Sequence, residues 1–246
     1  METALAYPGP QVRRPALLTE AGAVSVGGAT AGVRVGALRD EWEAVLRAAG
    51  GAPLQERSWL VAIGSNGSAT SLRDKLAGRR VSCVVPLLPA VIVGIGAAHS
   101  AHVSLGGYVA AAPHAAPPAA THGVVGLVDP DQLTALDESE PNYRRVSVAS
   151  SRYPVSALGS PLPFPARYQV YRSVWGVLAR EGHVVSLRSQ PAVHRLMRSD
   201  HVLARVLPLG DPDAAVRSLS QPMVQAFVRD HWRLTGASVA DGLADA

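Results

Sequence analysis

The sequence predicts an α+β protein in which short apolar strands alternate with capped helices, followed by a helical C-terminal extension. Three observations carry that expectation. Hydrophobic residues make up 48% of the 246 positions and charged residues 17%, ample for a core and wrong for global disorder. Val- and Ile-rich runs such as Leu60–Ile63 and Gly123–Val128 are separated by segments with helix start signals. Toward the C-terminus the apolar spacing becomes helical over Ala192–Leu203 and Ala214–Thr235, with Val224, Phe227, Val228 and Trp232 on a common face.

Residues 1–36, rich in Gly, Ala, Pro and Val, read as a loose tail followed by short extended pieces around Ala23–Val35. Asp40–Gly50 has the marks of a short helix, with Asp40 as cap, acids in the first turn and Gly50-Gly51 as the stop. Leu60–Ile63 is a short buried strand that runs into the turn cluster Gly64-Ser65-Asn66-Gly67, and helix resumes at Ser71–Leu76. Val81–Ala98 holds 18 residues without a charge, near the lower limit for a membrane helix. Its Val/Ile richness and its Pro86, Pro89, Gly94 and Gly96 favour two buried strands broken near Pro86–Pro89, and no membrane association is expected.

The proline-rich Ala110–Thr121 reads as an exposed loop. Asp129–Asp137 is a well-signalled helix, with an Asp cap, Pro130 at the first helical position, and Leu133 and Leu136 on one face. Arg145–Ser150 and Arg167–Val174 follow as strands, and Asp211-Pro212 caps the last helix. Aromatics make up 5%, so Val, Leu and Ala must fill the core, with Trp59, Trp175 and Trp232 as anchors.

The formal charge of +4 is carried almost wholly by Arg, Lys75 being the only lysine, a bias of the kind a high-GC genome produces. The basic residues are scattered, with pairs at Arg79-Arg80 and Arg144-Arg145, and no dense basic face suggests nucleic acid. Cys83, the sole cysteine, excludes an intramolecular disulfide and reads as a small core residue, in keeping with a reducing cytoplasm. The N-terminus has no basic stretch followed by an apolar one, so no signal peptide is expected. His99-x-x-His102 lacks a Cys or carboxylate at ligand spacing, and these histidines are expected at the surface or lining a pocket, without metal.

Two segments suggest chemistry. A strand that runs into a Gly-led turn, Val61-Ala-Ile-Gly-Ser-Asn66, exposes successive backbone N–H groups that can cradle an anionic oxygen. Asp137, Glu138 and Glu140 crowd the C-terminal end of a helix, where the macrodipole disfavours acids. Pairing with Arg144 and Arg145 is the plain explanation; a functional carboxylate is the sharper one.

In this order the segments Ile63-Gly64-Ser65-Asn66, Leu136-Asp137-Glu138-Ser139-Glu140 and Asn142-Tyr143-Arg144-Arg145 resemble the γ-glutamylcyclotransferase superfamily. Its members share a first strand ending Tyr-Gly-Ser-Asn and, downstream, a Leu-Asp-x-x-Glu element with a Tyr-x-Arg-like tail. The resemblance covers residues 58–175 and implies a small curved sheet or partly closed β-barrel with surrounding helices. On that reading residues 1–57 are an N-terminal extension with a short helix, 58–185 the domain, and 186–246 the helical extension.

It further implies that Ile63, Gly64, Ser65 and Asn66 hold the γ-glutamyl part of a small-molecule substrate. Glu140 would be the acid/base, and 5-oxoproline and an amine would be released without metal or cofactor. Ile63 stands where the family has Tyr, and Pro141 where Gly often follows the Glu. A non-catalytic or differently catalytic member that binds a small acid or amide is the alternative, as is an interaction scaffold.

Overall fold

The computed structural model describes residues 4–26, 35–163 and 165–244. Its strands are β1 (Ala16–Thr19), β2 (Gly22–Ser25), β3 (Ser58–Ala62), β4 (Val85–Val103), β5 (Val109–Val128), β6 (Tyr143–Ala149), β7 (Val155–Ala157), β8 (Arg167–Ser173), β9 (Val177–Arg180), β10 (His183–Val184) and β11 (Ser238–Val239). The helices are α1 (Val35–Ala48), α2 (Ala69–Gly78), α3 (Pro130–Ser139), α4 (Gln190–Arg198), α5 (His201–Val206), α6 (Pro212–Leu219) and α7 (Pro222–Leu234). The α+β class expected from the sequence is the one observed. Among the described residues the sheet is large, eleven strands with the path β10-β9-β4-β5-β3-β8-β6 and with β1, β2, β7 and β11 attached at its sides, and it does not close. It is mixed, since β3 and β8 pair in parallel while β4 and β5 pair antiparallel.

Period-two alternation puts neighbouring residues of the central strands into different cores. Val61, Leu88 and Val125 join Trp42 and Leu46 of α1 on one face. Leu60, Leu87 and Val124 join Leu72 and Leu76 of α2 and Leu136 of α3 on the other. Both faces are therefore covered, which explains why these strands read as unbroken apolar runs. Cys83 belongs to the second core and is 1% exposed.

The long ribbon of β4 and β5 continues beyond this body into a third core. There Ala101, Val103 and Val109 meet Val193, Leu203, Leu219, Val228 and Trp232 from α4 to α7. Its tip is pinned from the same side. Gln225 donates to the Ser104 carbonyl at 2.8 Å. Gly107, at φ +77°, lies where any Cβ would stand 2.4 Å from the Val216 carbonyl, so only glycine fits that approach.

Several local expectations give way to tertiary context. β4 is one strand, without a break at Pro86–Pro89. On the side away from β5, β1 pairs with Val85–Leu87 and β7 with Ala90–Ile92, so Pro89 falls between them, where no ladder donor is required. The proline-rich Ala110–Thr121 is strand as well. Residues 116–119, with Pro117 and Pro118, leave the ladder opposite Gly94, between the pairs Val93↔Ala120 and Ile95↔Ala115, and Ala110 falls in a second irregularity between His99↔Ala111 and Val103↔Val109.

Helix α1 starts at Val35, so Asp40 lies inside it and caps nothing; no proline intervenes to delay the start. The extended pieces expected around Ala23–Val35 are represented by β2, while residues 27–34 lie outside the described ones. Each of the two C-terminal helices is divided. Asp200 caps α5 through the Val202 and Leu203 amides, and Pro222 opens α7 because it has no N–H to continue α6. Trp59 and Trp232 are buried, but Trp175 is 36% exposed, lying under the Arg229 guanidinium with its indole donating to Asn142. Phe227, expected on the buried face with Val228, is 41% exposed. Among the described residues no helix is long and apolar enough to cross a membrane.

Candidate functional site

A cavity of about 190 Å³ opens between the turn that follows β3, the C-terminal end of α3 and the distal part of the β4–β5 ribbon. All five residues singled out in the sequence, Ile63, Gly64, Ser65, Asn66 and Glu140, line it. No residue of the C-terminal helices does; they act on the site by holding the ribbon whose Ser104–Tyr108 tip forms one wall.

Helix α3 is aimed by its own start. Asp129 and Gln132 form a reciprocal capping box. The buried Gln132 amide donates to the Ser82 and Val84 carbonyls at 2.9 and 3.1 Å, and its oxygen lies 3.4 Å from the Arg57 guanidinium. At the other end Pro141 disfavours helical backbone at the residue before it. Glu140 accordingly leaves the helix at φ −118° and ψ 57°, which turns its side chain into the cavity.

The three crowded acids then have three fates. Asp137 takes a two-pronged contact from Arg145 and a 2.8 Å bond from the Tyr171 hydroxyl. The Arg145 contact comes first among the causes that hold its carboxyl below the usual range. Glu138 lies 3.3 Å from Arg79 at the surface. Glu140 alone points inward, with its side chain 14% exposed.

Glu140 is anchored by a residue that sequence reading passed over. The Lys75 ammonium, from α2, donates to Glu140 Oε1 at 2.5 Å, to Asn66 Oδ1 at 2.7 Å and to Ser65 Oγ at 3.3 Å. Asn66 Nδ2 donates to the same Glu140 oxygen at 3.0 Å. Both bonds fall on Oε1, and among the described residues no donor reaches Oε2. Lys75 and Glu140 are also the only acidic or basic groups among the lining residues, apart from His102, so the cavity is closely balanced in charge. The one available signal for Lys75 was its uniqueness in a chain that otherwise uses Arg.

The opposite wall is aromatic. Tyr7 and Tyr108 stack at 4.2 Å. The Tyr143 hydroxyl donates to the Ala111 carbonyl at 2.7 Å, and burial pushes that phenol well above its ordinary value. His102 faces the cavity edge-on to Tyr143 at 5.7 Å and meets the Ser100 hydroxyl at 2.5 Å. His99, by contrast, is wholly buried. Its Nδ1 lies 3.2 Å from the Val109 carbonyl, and its Nε2 accepts from the Arg188 amide at 2.9 Å. The expected place at the surface or lining a pocket holds for His102, which lines the cavity, and fails for His99, which completes a buried polar network instead. Among the described residues no group of His, Cys, Asp and Glu could hold a metal ion.

Burial pushes His99 and His102 down to about 4 from 6.5, so both are neutral at neutral pH. Between those values the unfolded chain binds protons that the folded chain refuses. Stability is therefore fully present above about pH 6.5 and falls as pH drops toward 4, by up to about 1.4 kcal/mol per pH unit for each ring. Urea unfolding at about pH 7.5 and about pH 5 checks this. A midpoint that does not move would count against neutral, buried rings.

No family model matches the chain, and no curated protein matches it. Among solved structures it is similar to the solution structure of an Arabidopsis thaliana protein, at 18% identity over 48% of this chain, with a TM-score of 0.34. A second Arabidopsis thaliana solution structure is similar at 14% identity over 61% of this chain, with a TM-score of 0.36. The chain spans 62% of the length of the first and 89% of the second.

Proposed function

We propose that this cavity is the active site of a cofactor-free γ-glutamyl cyclotransferase, built on a variant of the curved γ-glutamylcyclotransferase-like sheet. The observation that carries the reading is the Glu140 carboxylate, held by Lys75 and Asn66 through one oxygen and free at the other.

The chemistry asks little of the protein. In a γ-glutamyl amide the substrate's own α-amine lies within reach of its side-chain carbonyl, so proximity is built into the molecule. Glu140 Oε2 takes a proton from the ammonium, and the freed nitrogen attacks the carbonyl carbon to form the lactam C–N bond. Attack leaves the ring nitrogen with two protons. As the tetrahedral intermediate collapses, the bond to the leaving nitrogen breaks and Glu140 returns the first proton to that nitrogen. It then takes the surplus proton from the ring nitrogen and passes it to the amine, which departs as an ammonium. The products are 5-oxoproline and an amine, with no water consumed and no electron transferred. Donors around the turn Gly64–Asn66 steady the carbonyl oxygen as it gains charge.

The near-neutral lining favours a substrate without net charge. A γ-glutamyl amine, whose glutamyl head is a zwitterion, suits it better than a γ-glutamyl amino acid or glutathione, each of which brings a further carboxylate with no unpaired Lys or Arg among the lining residues to meet it.

The test is 5-oxoproline release, followed by mass spectrometry, from γ-glutamyl amines, γ-glutamyl amino acids and glutathione. Stoichiometric release of 5-oxoproline and amine, fastest with the γ-glutamyl amines, is expected. A well-folded protein that releases none from any of them would overturn the reading in favour of a binding role.

A further inference from the structure

Tyr7 belongs to the N-terminal segment that its sequence marks as a loose tail, yet it lies deep in the cavity wall. The segment is tied down on both sides of it: the turn Ala4–Ala6 lies against α4 and α6, and the Val12 amide donates to the Gly67 carbonyl at 3.1 Å. The ring stacks on Tyr108. The Tyr7 oxygen accepts from the Ala111 amide at 2.8 Å. A Cβ on residue 64 would stand 3.0 Å from this oxygen, so Gly64 leaves the room that the hydroxyl uses.

A phenol oxygen has two places for incoming hydrogen bonds and one proton to give. The Ala111 amide fills one of those places, and among the described residues no acceptor takes the proton. A hydroxyl that accepts in this way is also strengthened as a donor.

We infer that the Tyr7 hydroxyl is the donor that binds an oxygen of the ligand, a carboxylate or an amide carbonyl, so that the N-terminal segment completes the site. Where the cyclotransferase reading holds, that oxygen is the carbonyl under attack; the binding role itself does not depend on turnover.

The test uses the full chain and glutaramate, which carries a carboxylate and an amide carbonyl but no α-amine and so cannot cyclise. Titration of wild type and Tyr7→Phe should show affinity lower by about tenfold in the variant, as expected for a lost hydrogen bond to a polar ligand. Repeating the titration with glutaramide and with butyrate separates the carbonyl from the carboxylate as the bound group. Fluorinated tyrosines at position 7 keep the ring and the oxygen while making the O–H a stronger donor, so affinity should rise along that series even if Tyr7→Phe fails to fold.

Affinity within twofold of wild type in a folded Tyr7→Phe, affinity flat across the fluorinated series, or no binding of any probe by wild type overturns the inference. Wild-type binding that is lost in Tyr7→Phe, in a protein that releases no 5-oxoproline, would sink the cyclotransferase reading and leave Tyr7 in its role. Turnover that Tyr7→Phe leaves unchanged would do the reverse.

Discussion

Glu140→Gln is expected to slow 5-oxoproline release by about 10²–10⁴-fold, the usual worth of a positioned acid/base, while leaving the fold intact. The substitution is close to isosteric. The Gln oxygen can accept from both Lys75 and Asn66, as Glu140 Oε1 does, so the anchoring survives. What disappears is the second oxygen, the one to which no donor is bound. An amide nitrogen there cannot take a proton from an ammonium, and so cannot hand one to the leaving amine. Turnover and thermal unfolding measured on the same preparation separate the two effects. If release stayed near the wild-type rate, the base would have to be another group, and the neutral imidazole of His102 on the cavity wall would be the next to replace.

The acids Asp137, Glu138 and Glu140 were legible in the sequence because they broke a local rule, and the family resemblance singled out Glu140. Acids at a helix C-terminus oppose the macrodipole, and such conflicts concentrate where function overrides propensity. The pattern did not say which of the three acids would turn inward; Pro141 decides that, by ending α3 one residue before Glu140. The turn Gly64–Asn66 was legible for a similar reason, as a glycine-led stop to an apolar strand.

The long ribbon was not legible. Pro86, Pro89, Gly94 and the prolines of Ala110–Thr121 are local punctuation. Their effect was cancelled by partners distant in the chain: β1 and β7 leave a gap at Pro89, and helices after residue 189 cover the far half of β4 and β5. Tyr7 escaped for the same reason, since the residues it meets lie at Gly64, Tyr108 and Ala111. Composition around it reads as tail, and only tertiary contact makes it part of a wall.

Lys75→Met should lower turnover by about 30-fold, corresponding to about 2 kcal/mol, and Lys75→Arg should be nearly as poor. The ammonium has three protons and three acceptors, Glu140 Oε1, Asn66 Oδ1 and Ser65 Oγ, all within 3.3 Å. Its removal leaves Glu140 held by Asn66 alone and frees the Asn66 side chain to rotate. Because the pair is partly exposed, 22% for Lys75 and 14% for Glu140, the loss should fall short of the roughly 3–5 kcal/mol seen when a fully buried pair is broken. Arginine restores the charge without restoring the geometry, since a planar fork cannot direct single protons at three converging oxygens. That distinction gives the uniqueness of Lys75 a physical meaning, for the other 22 basic residues are Arg and the one ammonium stands where three acceptors meet. The comparison to make is kcat against KM for wild type, Lys75→Met and Lys75→Arg. A fall in kcat shared by both variants identifies Lys75 as the group that positions Glu140. Recovery by Arg would reduce its part to charge alone.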